Sequence, residues 1–382
     1  MFMKDNSRDQ DLMRKEVKEL ENSRIISVLF IVRATLYESL GGDTIQIIKT
    51  AEALRKLGIK VEIGLTTAAF DYEKYDIVHF FNIIRPADIL YHFKQSKRKV
   101  ISTIFVDYTE SEIKSGTLLR AILTKFLGGD FLEYLKALTK ALLGKEKLKS
   151  KDYLLKGHSK SVKYLYKNTD ALLPNSYSEM SRLEKKYGDT DALRFKIVNA
   201  IETIDDIVPN QKYKDAILCV GRIERLKNQL NLVKAVKGLN IPCYIIGNPA
   251  INDRKYYELC RKEAGENVFF IDALPQSELY SIMKAARIHI LPSWFETTGL
   301  VSLEAYYYGC NIVISDKGDQ KEYFQDYAFY CDPEDVASIR ESILKAYQSP
   351  YDEDFRSFIK ENYTWEQTAK QTKKCYEKLL QS

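Results

Sequence analysis

The sequence predicts an α/β protein made of two doubly wound parallel-sheet domains that face each other across a cleft. Three observations carry this expectation. The chain has 382 residues, more than one ordinary domain of roughly 150–200 residues holds. Short apolar runs alternate with segments of helical period, the pattern of right-handed βαβ units. The alternation breaks once, near Ile201–Tyr213, a stretch with Pro209 and few large apolar residues.

The first strand, Ile25–Val32, is an almost unbroken apolar run, which suits a strand buried on both faces of a parallel sheet. A loop with Gly41-Gly42-Asp43-Thr44 follows. The next segment, Thr44–Leu57, reads as a helix because Ile45, Ile48, Ala51, Leu54 and Leu57 keep the helical period and Gly58 is a favourable stop. Lys60–Leu65 completes this β-loop-α-β unit. Asp76–Phe81 and Lys99–Phe105 are further strands with a helix between them, and Ala171–Pro174 and Phe195–Val198 flank a helix at Ser178–Tyr187. The second series has strands at Ala216–Val220, Pro242–Ile246, Val268–Ile271, Ile288–Leu291 and Asn311–Ser315. Helices are expected at Asn228–Lys237, Arg254–Ala264, Gln276–Ala286, Gly299–Tyr308 and Pro333–Tyr347. Ligands of such sheets sit outside the carboxyl ends of the strands, so the loops there are where chemistry is sought.

Composition narrows the function classes. No apolar run approaches the roughly 20 residues that span a bilayer. Met1–Arg24 alternates acidic and basic residues without an apolar core, so it is not read as a secretory signal. Six cysteines show no C-x-x-C pair and no clustered His, and they read as buried free thiols rather than a metal site or disulfide framework. A cytoplasmic protein is expected. The net charge is +5, but Lys114–Lys167 alone carries thirteen Lys/Arg against four Asp/Glu, so the remainder is net acidic. Within that segment, L-L-R-A-I-L-T-K-F-L and Y-L-K-A-L-T-K-A-L-L interleave lysines with leucines at helical spacing. Such helices lie on an anionic membrane surface, or else pack on a core with their lysines solvated. The acidic remainder and the lack of a recognition motif argue against nucleic acid.

The chemistry is expected in P-S-W-F-E-T-T-G-L-V-S-L-E-A, Pro292–Ala305. Glu296 follows a strand and Glu304 lies two turns into the next helix. Thr297 and Thr298 read as N-caps with Gly299 at the helix start, where free amides and the positive dipole end form an anion site. In V-G-R-I-E-R-L-K-N-Q, Val220–Gln229, Arg222 and Lys227 are cations that do not titrate near neutrality, as a departing diphosphate requires. Gly221 lets backbone approach closely. His79 and His289 lie in apolar strands and read as satisfied core residues.

These stretches resemble the motifs of retaining GT-B glycosyltransferases of the large family-four group, a fold of two Rossmann-like domains. Glu296 and Glu304 are similar to its E-x(7)-E pair, which implies that Glu296 meets the donor sugar and Glu304 the ribose hydroxyls. The Arg222–Lys227 stretch resembles its G-R-(x)4-K motif, implying pyrophosphate binding and support of its departure, with Thr298, Gly299 and Leu300 close by. Ile246-Gly247-Asn248-Pro249 resembles the family's I-G-x-G turn without the second glycine, implying nucleotide contact at Gly247. Gly41-Gly42 resembles the glycine-rich loop that lies against donor phosphate and acceptor. Asp107 stands where relatives carry His-Asp, with Val106 in place of the His, which implies a catalytic-site part for Asp107 in positioning the sugar. Asn175-Ser176 resembles a helix-capping turn near the cleft. In S-D-K-G-D-Q-K-E, Gly318 and Glu322 match the family pattern, while Asp319 stands where a second glycine is usual.

Y-T-W-E-Q-T-A, Tyr363–Ala369, resembles the stretch after which a last helix returns to the first domain. The implied organisation is a charged extension (1–24), an acceptor-side domain (25–205), a nucleotide-sugar-binding domain (206–361) and a returning helix (362–382). The implied partners are a nucleotide-diphosphate sugar and a glycan or lipid-linked acceptor. No metal or further cofactor is expected, since Asp189-Thr190-Asp191 falls in an apparent surface turn. A nucleotide-sugar epimerase and a non-catalytic binder of the same architecture are the alternatives.

Overall fold

The computed structural model describes residues 25–38, 41–106, 129–142 and 150–381. The extension 1–24, Asp107 and the rest of the basic segment 114–167 lie outside them. The first half holds β1 (Ser27–Val32), α1 (Gly42–Lys56), β2 (Lys60–Leu65), β3 (Ile77–Phe81), α2 (Pro86–Phe93) and β4 (Lys99–Ser102). It continues with α3 (Gly129–Leu142), α4 (Lys151–Asn168), β5 (Ala171–Leu173), α5 (Tyr177–Tyr187) and β6 (Leu193–Arg194). Its six strands are parallel in the order β2-β1-β3-β4-β5-β6. All five residues of β3 are buried, as the two-sided cover of a parallel sheet demands.

The second half holds β7 (Ile217–Val220), α6 (Gln229–Val236), β8 (Cys243–Ile246), α7 (Arg254–Glu263), β9 (Val268–Ile271) and α8 (Gln276–Met283). Next come β10 (Ile288–Leu291), α9 (Leu300–Tyr307), β11 (Asn311–Ser315), α10 (Gln320–Phe324), β12 (Ala328–Cys331), α11 (Val336–Gln348) and α12 (Glu353–Asn362). These strands are also parallel, in the order β12-β11-β10-β7-β8-β9. The fold is therefore α/β, with two doubly wound sheets.

Each sheet has a switch point, where successive connections leave in opposite directions and open a crevice at the strand ends. In the first it lies between β1 and β3, and in the second between β7 and β10. The loops after those four strands are the ones that frame the site.

Several boundaries differ from the sequence reading. The strand expected at Lys99–Phe105 stops at Ser102, because Ile104 takes a positive φ of 43° and the Phe105 amide turns to the Glu179 carboxylate at 2.7 Å. The strand expected at Phe195–Val198 is instead Leu193–Arg194, although the amides of Phe195 and Ile197 still donate to Leu172 and Pro174. β12 and α12 have no counterpart in the sequence reading.

The last helix, α13 (Trp365–Gln381), buries Ala369, Cys375, Tyr376 and Leu379 in the core beneath β1 and β3. The Tyr376 hydroxyl meets His79 Nδ1 at 2.6 Å, and His79 Nε2 meets Ser102 Oγ at 2.9 Å. Burial lowers the His79 pKa to about 3, so this ring is a neutral structural bridge. His289 is also buried and neutral, yet its ring nitrogens have no hydrogen-bond partner among the described residues, which corrects the reading of a satisfied core histidine.

Two glycine turns in the second domain pack backbone against backbone. A Cβ on Gly247, whose φ is +148°, would stand 2.1 Å from the Gly221 carbonyl oxygen. Gly247→Ala is therefore expected to destabilise the protein by roughly 1–3 kcal/mol through forced backbone strain. Urea unfolding measures this, and an unchanged midpoint would contradict the close approach.

Candidate functional site

The β7/β10 switch point brings two segments far apart in sequence side by side. The loop after β7 makes a short turn over Arg225–Lys227 and ends at Asn228, which is left-handed (φ 59°) and buried. The Asn228 amide group donates to Pro292 O at 3.1 Å and Pro333 O at 2.8 Å, which pins the loop to the one after β10. Lys227 thereby reaches Glu296, and the ammonium is ion-paired with Oε1 of that carboxylate. Ser293 Oγ donates to the same oxygen at 2.8 Å. Behind the loop, Gly318 (φ +91°) lies so close that a Cβ there would overlap the Glu296 backbone.

α9 starts after Gly299, which is left-handed (φ 71°) and caps the helix without any side-chain bond. This corrects the expectation that Thr297 or Thr298 caps it. The buried Thr298 hydroxyl instead accepts a 2.8 Å bond from Asn199 Nδ2 of the preceding half. The Ser302 and Leu303 amides donate to the Gly299 carbonyl, and those of Leu300 and Val301 precede the first bond of the helix, where an anion can meet them.

On the same helix, Glu304 accepts from Gln276 Nε2 at 2.8 Å and from the Tyr280 hydroxyl at 3.2 Å. Burial pushes its pKa up to about 7, and these two bonds offset the shift only in part.

The other wall comes from the first domain. Gly42, at the start of α1, faces Leu300 across the cleft, where a Cβ on it would lie 3.8 Å from Leu300 Cδ1. Asn82, after β3, has a positive φ of 71°, and its Oδ1 is buried with no partner among the described residues. Lys49 on α1 pairs with Glu202 at 2.5 Å, which raises the lysine pKa. Together these groups enclose a cavity of about 660 Å³ that Gly42, Lys49, Asn82, Lys227, Glu296 and Glu304 all line. Thr297, Gly299 and Leu300 line it too.

Not every residue singled out by sequence reaches this cavity. Arg222 lies in the loop after β7, with its side chain 70% exposed and Nη2 3.4 Å from Glu224. Gly247 and Thr298 do not line the cavity. Gly41, the N-cap of α1, does not line it either, and Asp107 lies outside the described residues. Ser176 caps α5 through a 2.9 Å bond from the Glu179 amide, as its sequence context predicts. Lys49, Asn82, Gln276 and Trp365 line the cavity without having been recognised. For Asn82 the signal was its place after a strand at a switch point, which is visible only once strand order is known.

A second, open groove of about 1080 Å³ runs between α3 and α4, a helix interrupted at Gly157 (φ 73°). Phe131, Leu154 and Leu155 are exposed along it, and Lys156, Lys160 and Lys185 stand beside them. No helix among the described residues is long and apolar enough to cross a membrane.

Residues 200–365 match the family model described as glycosyl transferases group 1. The chain is 27% identical over 179 residues to the D-inositol 3-phosphate glycosyltransferase of Corynebacterium glutamicum (strain R), covering 40% of this chain and 43% of that protein. It is 28% identical over 188 residues to O-antigen chain mannosyltransferase B of Escherichia coli, covering 44% and 48%. The chain thus spans about half the length of the curated relatives it matches.

Among solved structures, sucrose-phosphate synthase from Thermosynechococcus elongatus superposes with a TM-score of 0.70 at 14% identity, covering 93% of this chain and 99% of that one. HepE of Anabaena in complex with UDP-glucose superposes with a TM-score of 0.63 at 12% identity, covering 92% and 100%. The catalytic domain of starch synthase IV from Arabidopsis thaliana, bound to ADP and acarbose, gives 0.62 at 12% identity over 94% and 100%. At these identities the likeness is one of fold, and the fold is GT-B.

Proposed function

With a glycosyl transferases group 1 domain at residues 200–365 inside a GT-B fold, we propose that the chain is a glycosyltransferase. It moves a hexose-type sugar from a nucleotide-diphosphate donor to a glycan or lipid-linked acceptor, with retention at the anomeric carbon. The observation that carries this reading is the convergence of Lys227, Glu296, Glu304 and the free end of α9 on one cavity between the two sheets. HepE in complex with UDP-glucose and starch synthase IV bound to ADP, both superposable on this chain, support a nucleotide-sugar donor.

In this reading Glu304 accepts the ribose hydroxyls, Lys227 and the α9 amides hold the pyrophosphate, and Arg222 swings in from the surface. These groups supply the counter-charge without a metal ion. Glu296 holds the sugar. The bond from the anomeric carbon to the β-phosphate oxygen breaks, and its electron pair leaves with the nucleoside diphosphate. The acceptor hydroxyl adds on the same face, and its proton passes to the departing phosphate oxygen. Gly42 admits donor and acceptor at the opposite wall.

A thermal-shift screen of UDP-, GDP- and ADP-sugars, followed by an assay for nucleoside diphosphate release, tests the reading, since a bound ligand raises apparent stability. One donor is expected to stabilise the protein and be turned over. Epimerisation of that donor without acceptor would favour the epimerase instead, and binding without turnover across an acceptor panel would favour a non-catalytic binder.

The raised pKa of Glu304 makes nucleotide binding depend on pH. The carboxylate accepts from ribose hydroxyls through both oxygens, whereas the protonated acid accepts more weakly and turns one oxygen into a donor, so binding stabilises the ionised form. Because the free protein holds this proton up to about pH 7, affinity is expected to rise between pH 6 and pH 8, with proton release on binding. Calorimetry with the nucleoside diphosphate selected by the screen measures this. Glu304→Gln should flatten the profile, and a flat profile in the wild type would remove Glu304 from the ribose site.

The groove between α3 and α4 supports contact with an anionic membrane surface, the place of a lipid-linked acceptor in cell-envelope polysaccharide or glycolipid assembly on the cytoplasmic face. Exposed leucines beside lysines suit the headgroup boundary. The protein is expected to sediment with phosphatidylglycerol vesicles and not with phosphatidylcholine vesicles, and Leu154→Glu with Leu155→Glu should abolish it. Equal sedimentation of that variant would remove the membrane contact.

A further inference from the structure

The S-D-K-G-D-Q-K-E segment is not used by the reaction just proposed, yet it touches both domains. Asp319 is 1% exposed. Its amide donates to the Glu296 carbonyl at 2.9 Å, so it is coupled directly to the backbone of the donor-sugar carboxylate. Its side chain points the other way, into the first domain. There Oδ1 accepts from Ser178 Oγ at 2.6 Å, Oδ2 accepts from Arg182 Nη2 at 2.8 Å, and Arg182 Nη1 completes a two-pronged ion pair. A bidentate guanidinium-carboxylate pair fixes orientation as well as separation.

Arg182 also lies over the ring of Phe295, 5.2 Å from its centroid. A single guanidinium on α5 thus holds the residue before Glu296 by its ring and, through Asp319, the carbonyl of Glu296 itself. The neighbouring Glu322 adds to the same contact, accepting from the Tyr177 and Ser178 amides at 3.0 and 3.1 Å and pairing with Lys196 at 2.7 Å. Of these contacts, those of Arg182 and Asp319 bear directly on the catalytic loop.

We propose that Arg182 and Asp319 are positioning residues that register the Glu296 loop against the first domain and so hold the donor-sugar carboxylate in its working place. The inference rests on the glycosyltransferase reading for the role of Glu296. The physical link from α5 to the Glu296 loop stands apart from it. Nucleotide is held by the second domain in this reading, so loss of the link should affect turnover rather than donor binding. A misplacement of about 1 Å at a reacting group costs on the order of a hundredfold in rate.

The test uses the full chain with Arg182→Gln, Asp319→Asn and the double variant, none of which alters Glu296 or Lys227. Nucleoside diphosphate release is measured from UDP-glucose, GDP-mannose and ADP-glucose in parallel. Each single variant is expected to lose about ten- to a hundredfold in kcat with donor KM unchanged. The double variant should lose no more than the worse single one, because both act through one contact. Unchanged kcat, a rise confined to KM, or additive losses would overturn the proposal.

Hydrogen exchange of the peptide covering 292–299 provides a readout that needs no turnover. Arg182→Gln, a change in the other domain, is expected to speed exchange there. Unchanged exchange would overturn the link even if the wild type turned over none of the three donors, a result that would separately sink the glycosyltransferase reading.

Discussion

Arg222→Ala combined with Lys227→Ala is expected to lower the rate of sugar transfer by at least about 10²–10³-fold, the cost typical of removing a donor that meets developing charge. Most of the loss should come from Lys227. Its ammonium lines the cavity, its side chain is only 18% exposed, and its loop is anchored through Asn228 to the loop that carries Glu296. A cation already fixed in a partly dry site needs little reorganisation when a diphosphate leaves, which is where preorganised charge counts most. Arg222 starts from solvent beside Glu224 and must reorient, so Arg222→Ala alone should cost less and raise donor KM more. Initial rates of nucleoside diphosphate release at saturating donor check this, with a thermal melt to show that the variants fold. Full activity in the double variant would end the assignment of these residues to the pyrophosphate.

Glu296→Gln is expected to separate binding from chemistry. The substitution is isosteric, and the amide oxygen still accepts from Ser293 Oγ, so the loop should keep its shape. What changes is the ion pair: Lys227 loses its carboxylate partner and becomes fully available to an incoming phosphate. Affinity for the free nucleoside diphosphate should hold or increase, while kcat falls by about 10²–10³-fold because charge developing on the sugar loses its counter-charge. Calorimetry and steady-state rates on the same preparation distinguish the two effects. A parallel loss of affinity and rate would mean that Glu296 shapes the pocket without meeting the sugar.

Much of this arrangement was legible in the chain. The apolar runs of β1, β3, β10 and β11 declared a sheet covered on both faces, since each is buried along nearly its whole length. The spacing from Glu296 to Glu304 placed one carboxylate in a loop and the other on the following helix, and both line the cavity. Less legible were the elements whose stability is borrowed from neighbours. β12 is a four-residue strand, too short for periodicity to mark, and it forms because β11 offers it an edge. The cap of α9 is not legible in the chain either, because Thr298 has the right chemistry for capping, yet Asn199 from the other half claims its hydroxyl.

By itself, then, the amino-acid order determined the alternation of strands and helices, the break between two halves and the residue types capable of holding a sugar diphosphate. These are local properties, set by side-chain periodicity and turn chemistry within a few residues. Only the tertiary structure decided which of those residues meet. Strand order rather than chain order sets β7 beside β10, and this contact carries Lys227 to Glu296 while leaving Arg222 at the surface. It also brought Asp319 into the first domain, a contact between segments well over a hundred residues apart that no local pattern encodes.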